Sequence, residues 1–319
     1  QGPVIIATGG FGADFTQDSL LSKHRPDLSD LPTTNGDHCT GDGLKMSAAV
    51  GADLVDLEWV QVHPTGLVHP KEPDAKVKFL AAEALRGVGG LLLDMEGRRF
   101  CNELGRRDYV TGMMWKNKGV KLGGTTGFFL CLNGKASKEI EWHCKHYKGR
   151  GIMKSYKNME EFAKEYGIPL ANIDATFKEY NALGEKQAKD PEGGPYEAYG
   201  GGKAWDKWGK KFYHNLPMEV SDAFHVAIVT PVIHYCMGGL SINGDGECLT
   251  AAQTVIGGLY GAGEAAGGIH GNNRLGGNSL LDCVVYGRVC GRSAARFLTA
   301  QNIKYIESMN AGSSVASKL

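Results

Sequence analysis

Apolar and polar positions follow different patterns in different parts of the 319-residue chain. At the start, residues 4–8 form a continuous apolar run that predicts a buried strand, and residues 43–50 have the spacing of a helix. Toward the end, short strands are predicted at residues 240–242 and 255–260, followed by a helix over residues 279–298. The two ends therefore share a pattern of short strands separated by glycine-rich turns.

The middle of the chain is dominated instead by helical stretches, lysines and aromatic residues. Helices are predicted over residues 158–166 and 170–182. In the second helix, the apolar residues at positions i, i+3, i+7 and i+10 are Leu170, Ile173, Phe177 and Tyr180. This spacing is typical of an amphipathic helix packed on a core.

The change of pattern predicts an α/β (α+β) fold in which one domain is interrupted by an inserted domain. The first part of the interrupted domain is predicted at residues 1–58, the insertion at 59–231 and the second part at 232–319. A cleft between two such domains is a common place for an active site.

Two local features are also predicted. The strand that begins at Val60 is expected to stop at Pro64, because proline has no N–H to donate to a sheet. Trp205 and Trp208 are expected to pack in the core rather than to form a binding site.

Composition and charge exclude several classes of function. The chain is 42% hydrophobic, and its apolar runs are far shorter than the ~20 residues of a membrane span. Lys+Arg and Asp+Glu are equal at 35 each, so net charge gives no argument for nucleic acid or an anionic membrane surface as partner. The eight cysteines form no C-x-x-C pair and indicate free thiols in a reducing compartment, without structural zinc.

Glycine is unusually frequent, with 46 residues in the chain, about twice the typical share of ~7%. The glycines cluster at the ends of apolar runs, where they indicate close approach of the backbone to a large ligand.

Three residues near predicted turns suggest an anion site. His63 and His234 lie near the ends of strand-like runs, and Arg274 precedes the helix predicted from residue 279. A helix start and a guanidinium both attract negative charge. Each histidine alone is compatible with a purely structural role, but together the three residues predict a pocket for an anion with more than one negative end. No ligand cluster with metal spacing accompanies them.

Residues 82–108 contain a second group of charges. Glu83 and Arg86 lie three residues apart, so they share a face of one helical turn. The alternative is a surface ion pair that contributes little. Further arginines occur at 98, 99, 106 and 107, which would usually form a solvated basic face, although the flanking apolar residues favour partial burial.

The order of the motifs resembles the flavoprotein of the fumarate reductase/succinate dehydrogenase family, and most of all its soluble single-chain fumarate reductases. The resemblance extends over nearly the whole chain, and its motifs are ATGG, TGDG, HPTG, AAEALRGVGG, GRRFCNELGRRD, HYCMGG and GAGEAAGGIHGNNRLGGNSL. It implies that the interrupted domain is a partial, Rossmann-like FAD-binding domain and that the insertion is a capping (clamp) domain. The implied FAD contacts are Asp42, Glu264 (through a pair of ribose hydroxyls), Ser279 and Leu280.

The resemblance also implies the reaction and its residues. Fumarate is reduced to succinate by hydride transfer from reduced FAD, with His63, His234 and Arg274 binding the dicarboxylate. The implied proton donor is Arg107, with Glu83 and Arg86 as its relay, and Arg106 is the less favoured neighbour. Ala82 departs from the family, because many relatives have a threonine there and its hydroxyl is absent here.

Several points stay open. The family's opening strand and G-x-G-x-x-G turn are not found, so an N-terminal segment of the same protein is expected to be missing and FAD binding by this chain to be weak. The electron donor could be NADH, reduced flavin or a reductase domain. The alternatives are a sibling flavoenzyme (a succinate dehydrogenase flavoprotein, an aspartate oxidase or another enoate reductase) and a non-catalytic fragment. The terminal Ser-Lys-Leu predicts import into a peroxisome or glycosome, with mitochondrion or cytosol as the alternatives.

Overall fold

The computed structural model of this protein describes residues 2–316, with side chains through residue 309. Contacts divide the chain into two units. The first unit comprises Gln1–Asp30, Asn35–Gln61 and Ile233–Leu319, and the second comprises Leu31–Thr34 and Val62–Val232. The predicted insertion, 59–231, does not include the short piece Leu31–Thr34. That piece belongs to the second unit because Thr33 exchanges main-chain hydrogen bonds with the segment after the strand of His63.

The strands are, in chain order, β1 Val4–Ile6, β2 Leu54–Val55, β3 Val60–Leu67, β4 Phe79–Leu80, β5 Leu91–Leu93, β6 Val120–Leu122, β7 Thr125–Asn133, β8 Lys154–Tyr156, β9 Tyr196–Glu197, β10 Lys203–Ala204, β11 Phe224–Cys236, β12 Gly239–Leu240, β13 Glu247–Leu249 and β14 Val255–Gly261. The α-helices are α1 Leu20–His24, α2 Asp42–Ala49, α3 Ala84–Gly87, α4 Arg107–Trp115, α5 Gly134–Glu139, α6 Glu141–Gly149, α7 Met159–Tyr166, α8 Leu170–Lys189 and α9 Asn278–Ala316. Short 3-10 helices occupy Pro26–Leu28 and Gly263–Ala265.

The first unit is built on a sheet with strand order β1-β14-β13, in which β1 runs parallel to β14 and β13 runs antiparallel to it. Tyr260 on β14 packs in a small buried cluster with Cys290 and Ala294 of α9, so this helix covers the sheet. The short strands β2 and β12 pair separately.

The second unit is built on a sheet with strand order β4-β3-β11-β7-β5. Two further strands belong to it: β6 pairs with β7, and β8 pairs with β11. Side chains alternate across this sheet. Leu92 and Leu130 belong to a buried cluster that includes residues of α4, α5 and α6. Leu91, Phe129 and Cys131 belong to another, which includes residues of α7 and α8. Both faces are covered, which explains why β7 reads as a continuous apolar run.

Most predicted elements are present, and the amphipathic helix at residue 170 is confirmed: Ile173, Phe177 and Tyr180 are buried against the sheet. Two predictions of length are wrong. The strand that begins at Val60 continues through Pro64 to Leu67, because β4 pairs with β3 only at Gly66 and Leu67, beyond the proline. The final helix extends to Ala316 rather than to residue 298, since no proline or glycine interrupts its second half before residue 312.

Trp205 and Trp208 are half-buried rather than core residues. The Trp205 indole N–H donates to the Asp190 carbonyl at 3.2 Å, and the Trp208 ring lies 5.1 Å from the Arg99 guanidinium. These rings cover charged groups, so their polar contacts rather than apolar packing explain their positions.

All eight cysteines are free thiols. No helix within the described residues combines the length and apolar character needed to cross a bilayer. The predicted import signal, Ser317-Lys318-Leu319, lies outside the described residues.

Candidate active site

In the second unit, the carboxylate of Glu83 lies close to three other predicted site residues. Its Oε1 atom accepts a hydrogen bond from Arg107 Nε at 2.8 Å and lies 3.6 Å from Arg86 Nη2 and 3.7 Å from His63 Nε2. We call these four residues the Glu83 cluster. Glu83 directly precedes α3, which carries Arg86, so the predicted helical spacing is what brings these two side chains together.

The partners of Glu83 are buried, whereas Glu83 itself reaches solvent. His63 is fully buried on β3, and Arg86 and Arg107 are only 5% and 7% exposed. The Glu83 side chain is 42% exposed. The interpretation of Glu83 and Arg86 as a solvated surface pair is therefore wrong. A carboxylate with access to water on one side and a buried guanidinium on the other can pass protons between them.

The two neighbouring arginines at the start of α4 differ in environment. Arg107 is the first residue of the helix and points to Glu83. Arg106 is exposed and pairs with Asp108 at 3.2 Å. The structure therefore brings Arg107, and not Arg106, to the Glu83 cluster.

His63 is held in one tautomer by its own strand. The Thr65 main-chain N–H lies 3.3 Å from His63 Nδ1, and a backbone amide can only donate, so Nδ1 accepts and Nε2 carries the proton toward Glu83. Burial lowers the pKa of His63 to about 4, with the Arg86 and Arg107 charges adding to the effect. The His63 ring and the Arg107 guanidinium hold the pKa of Glu83 well below its ordinary value. The cluster thus contains a neutral histidine and an ionised glutamate at neutral pH.

In the first unit, Arg274 is buried rather than exposed on its turn, with 4% exposure. Its Nη2 donates to Gln61 Oε1 at 3.2 Å, and Gln61 Nε2 donates to the Arg274 carbonyl at 2.8 Å. The guanidinium carbon lies 4.5 Å from the centre of the Tyr235 ring. Gln61 on β3 and Tyr235 on β11 hold this cation in a fixed orientation, as recognition of a carboxylate requires.

Sequence reasoning missed Gln61 and Tyr235, as well as a buried pair behind them. His270 Nε2 lies 3.5 Å from Asp282 Oδ2, which also accepts from the Tyr235 hydroxyl at 3.5 Å. The signals in the sequence were the positions of Gln61, two residues before His63, and of Tyr235, directly after His234. His234 is half-buried near the end of β11, and its main-chain carbonyl accepts from Asn35 Nδ2 at 3.3 Å.

The residues predicted to contact FAD all lie in the first unit. Glu264 Oε1 accepts a hydrogen bond from the main-chain N–H of Cys236 at 2.8 Å. Burial raises the pKa of the Glu264 carboxyl to about 7. A Cβ atom at Gly10 would lie 2.6 Å from Glu264 Oε1, so glycine lets the backbone approach the carboxylate where it stands. A half-buried carboxylate beside bare backbone fits a pair of ribose hydroxyls.

The other three predicted FAD contacts lie at helix starts. Asp42 is exposed in the first turn of α2, after Gly41, whose φ is +72°. Ser279 and Leu280 form the first turn of α9, and Leu280 is 74% exposed. These positions can present backbone N–H groups to an anionic ligand. Among the described residues, no group of three or more histidine, cysteine or acidic side chains could hold a metal ion.

Comparison with known proteins gives a consistent family. The family model described as FAD binding domain matches residues 1–280. The chain is 46% identical over 294 residues to a fumarate reductase of Schizosaccharomyces pombe, covering 92% of this chain and 53% of that protein. It is 36% identical to fumarate reductase 1 of Saccharomyces cerevisiae, covering 92% of this chain and 58% of that protein. The chain therefore spans a little over half the length of these curated relatives.

A solved structure supports the same grouping. The open conformation of a flavocytochrome c3 fumarate reductase matches with a TM-score of 0.66 and 30% identity, covering 92% of this chain and 46% of that one.

Proposed function

The chain belongs to the FAD binding domain family, and from this premise we propose that it acts in the reduction of fumarate to succinate. The predicted fold class and the predicted cofactor, FAD, are confirmed by the family and by the flavoprotein structure that it matches. The observation that carries the proposal is the Glu83 cluster, because it joins a solvent-accessible carboxylate to a buried guanidinium.

Reduction of a carbon–carbon double bond needs a hydride at one carbon and a proton at the other. Bound FAD, when reduced, supplies the hydride. Arg107 donates the proton, and Glu83 returns one to Arg107 from solvent with the help of Arg86. The short contact between Glu83 and Arg107 supports this order, since general acids act through hydrogen bonds of about 2.6–3.2 Å.

Binding of the substrate requires partners for two carboxylates. We assign this role to Arg274, His63 and His234. Arg274 is held by Gln61 and Tyr235 before any ligand arrives, which lowers the entropic cost of gripping a carboxylate. His63 is neutral because of its lowered pKa, so it contributes an N–H group rather than a charge.

The test compares two adjacent arginines in the full-length, FAD-loaded protein. Arg107→Ala is expected to lower kcat for fumarate by at least about 100-fold, the usual contribution of a positioned general acid, while fumarate still binds. Arg106→Ala is the matched control and is expected to stay near the unaltered protein, because its side chain is exposed and contacts Asp108.

Normal turnover by Arg107→Ala, or an equal loss in Arg106→Ala, would remove Arg107 from the role. Fumarate and urocanate, each assayed with reduced viologen or reduced flavin, and aspartate, assayed with an oxidised electron acceptor, separate this function from that of a sibling flavoenzyme. Reduction of urocanate in preference to fumarate would reassign the substrate while leaving the proton relay in place.

A further inference from the structure

Four charged side chains lie completely inside the second unit, next to the Glu83 cluster. Arg99 Nε and Nη2 donate to the two carboxylate oxygens of Glu103, at 2.8 and 3.0 Å. Lys210 Nζ donates to Glu103 Oε2 at 2.8 Å, and Arg99 Nη1 donates to Asp206 Oδ2 at 2.9 Å. We call Arg99, Glu103, Asp206 and Lys210 the four-charge cluster.

The four-charge cluster is neutral overall and buried. The side chains are between 0% and 4% exposed, and two cations face two carboxylates. The Tyr180 ring closes one side, 4.7 Å from the Arg99 guanidinium and 5.0 Å from the Lys210 ammonium. Burial opposes ionisation of Glu103, but Arg99 and Lys210 outweigh it and lower its pKa to about 2. Buried ion groups of this kind add little net stability. The presence of the four-charge cluster is therefore better explained by a role in fixing one conformation of the segments that carry it.

Glu103 links this cluster to the proton relay through its own backbone. Its main-chain carbonyl accepts a hydrogen bond from Arg86 Nη1 at 2.5 Å. The side chain of Glu103 is held by Arg99 and Lys210, so its carbonyl is fixed where it orients Arg86. Four residues further along the chain, Arg107 begins α4.

The segment that supplies Asp206 and Lys210 also holds the rest of the loop between residues 99 and 107. Asn102 Nδ2 lies 3.5 Å from the Gly209 carbonyl, and the Arg106 main-chain N–H lies 3.3 Å from the Tyr199 hydroxyl. These contacts join positions that are about a hundred residues apart in sequence. None of these hydrogen bonds involves Glu83, so they take no direct part in proton transfer.

We propose that Asp206 and Lys210 are positioning residues, which hold Glu103 and thereby aim Arg86 at the relay of Glu83 and Arg107. This inference rests on the proposed function. It predicts that loosening the cluster slows proton delivery without weakening the binding of substrate.

The variant that tests it is Asp206→Asn/Lys210→Met. It removes one charge of each sign, so the cluster stays neutral and the two-pronged Arg99–Glu103 pair is kept. The matched control is Glu192→Gln/Lys211→Met, which removes an ion pair of 2.8 Å formed by the residue next to Lys210. In the control pair, Glu192 is 79% exposed.

Two measurements on the full-length, FAD-loaded proteins follow. Hydrogen–deuterium exchange of the amides between residues 102 and 107 is expected to become faster in Asp206→Asn/Lys210→Met only. In the same variant, kcat per bound flavin is expected to fall roughly 10- to 100-fold, as for a small misplacement of catalytic groups, with KM within threefold. The solvent deuterium isotope effect on kcat is expected to rise, because proton delivery becomes slower.

Unchanged exchange, an unchanged kcat per flavin, or an equal loss in the control would overturn the inference. A lower flavin content with normal turnover per flavin would also overturn it, because the cluster would then serve stability alone. If Arg107→Ala turns over normally, the proposed function itself fails. If Arg107→Ala is inactive while Asp206→Asn/Lys210→Met is normal, only the positioning role fails.

Discussion

Consecutive arginines have opposite environments at two places in this protein. Arg98 and Arg106 are exposed, with side-chain exposures of 59% and 49%, whereas Arg99 and Arg107 are buried against carboxylates. Each buried guanidinium needs a partner because an unpaired charge in the interior is very unfavourable. The exposed neighbour needs none, so in each pair one arginine is solvated and the other is paired with a carboxylate in the interior.

His63 provides a prediction about pH at the level of a single residue. Its pKa is about 4 in the folded protein, against an ordinary value of 6.5, because it is completely buried. Between these values the unfolded chain binds a proton that the folded chain does not, so stability falls as pH decreases from 6.5 toward 4. At about 1.4 kcal/mol per pKa unit, the effect is about 3 kcal/mol.

His63→Gln is therefore expected to remove this component. Urea unfolding across pH 4 to 6.5 should give a flatter dependence for His63→Gln than for the unaltered protein. His38→Gln is the control, because the His38 side chain is 78% exposed and should leave the slope unchanged. Parallel slopes for all three proteins would contradict the assignment of a buried, neutral His63.

At the level of elements, the glycine of the HPTG motif serves packing between strands. Gly66 lies on β3, and a methyl group there would overlap the Cγ1 atom of Val232 on β11. Glycine clusters in the sequence suggest close approach to a ligand. At Gly66 the close approach is instead made by a neighbouring side chain.

Gly66→Ala is expected to destabilise the fold by about 1–3 kcal/mol, the usual effect of overpacking a core. Adding Val232→Ala should recover part of this loss, because it removes the overlapping methyl group, and the two changes should not be additive. Gly112→Ala is the control: nothing lies within 4 Å of the added Cβ atom in α4, so its stability should be unchanged or slightly higher. Denaturant unfolding measures the four variants, which include Val232→Ala alone, and the unaltered protein. Equal losses for Gly66→Ala and Gly112→Ala would show that space beside Val232 is not the cause.

Periodicity predicted helices α2, α7, α8 and α9 and a few of the strands, because each of these patterns is a local property of the chain. The amphipathic pattern of α8 and the N-cap of α7 at Asn158 depend only on neighbouring residues. Contacts between distant positions could not be predicted this way. The carboxylate of Glu103 meets Lys210 across 107 positions, and Gln61 meets Arg274 across 213. Motif resemblance named the residues that we propose to perform chemistry, but not those that hold them.

At the scale of the whole molecule, large apolar side chains on two elements of the first unit are exposed. On β1, Val4 and Ile5 are 52% and 40% exposed. On α9, Leu280, Leu281 and Val284 are 74%, 59% and 57% exposed.

The glycine turns of the first unit do not form the pyrophosphate site of a dinucleotide fold. That site needs a strand, a G-x-G-x-x-G turn and the N-terminus of a helix in immediate succession. After β1, the turn at residues 9–14 leads to no helix until Leu20. After β14, the turn at residues 261–268 contains only the 3-10 helix Gly263–Ala265. The described residues therefore include Glu264, the predicted contact for the ribose of FAD, but no turn of this type for its phosphates.

We accordingly predict that the 319-residue chain alone binds FAD weakly, whereas a full-length protein that carries it binds FAD stoichiometrically. The absorbance spectrum of each purified protein gives the ratio of flavin to protein, and circular dichroism shows whether the chain is folded. Glu264→Gln should lower flavin content further in both proteins, because it replaces one carboxylate oxygen beside Gly10 with a donor. A folded chain that is isolated with one FAD per molecule would contradict the prediction, and it would mean that contacts such as Glu264 bind the cofactor without a glycine-rich phosphate turn.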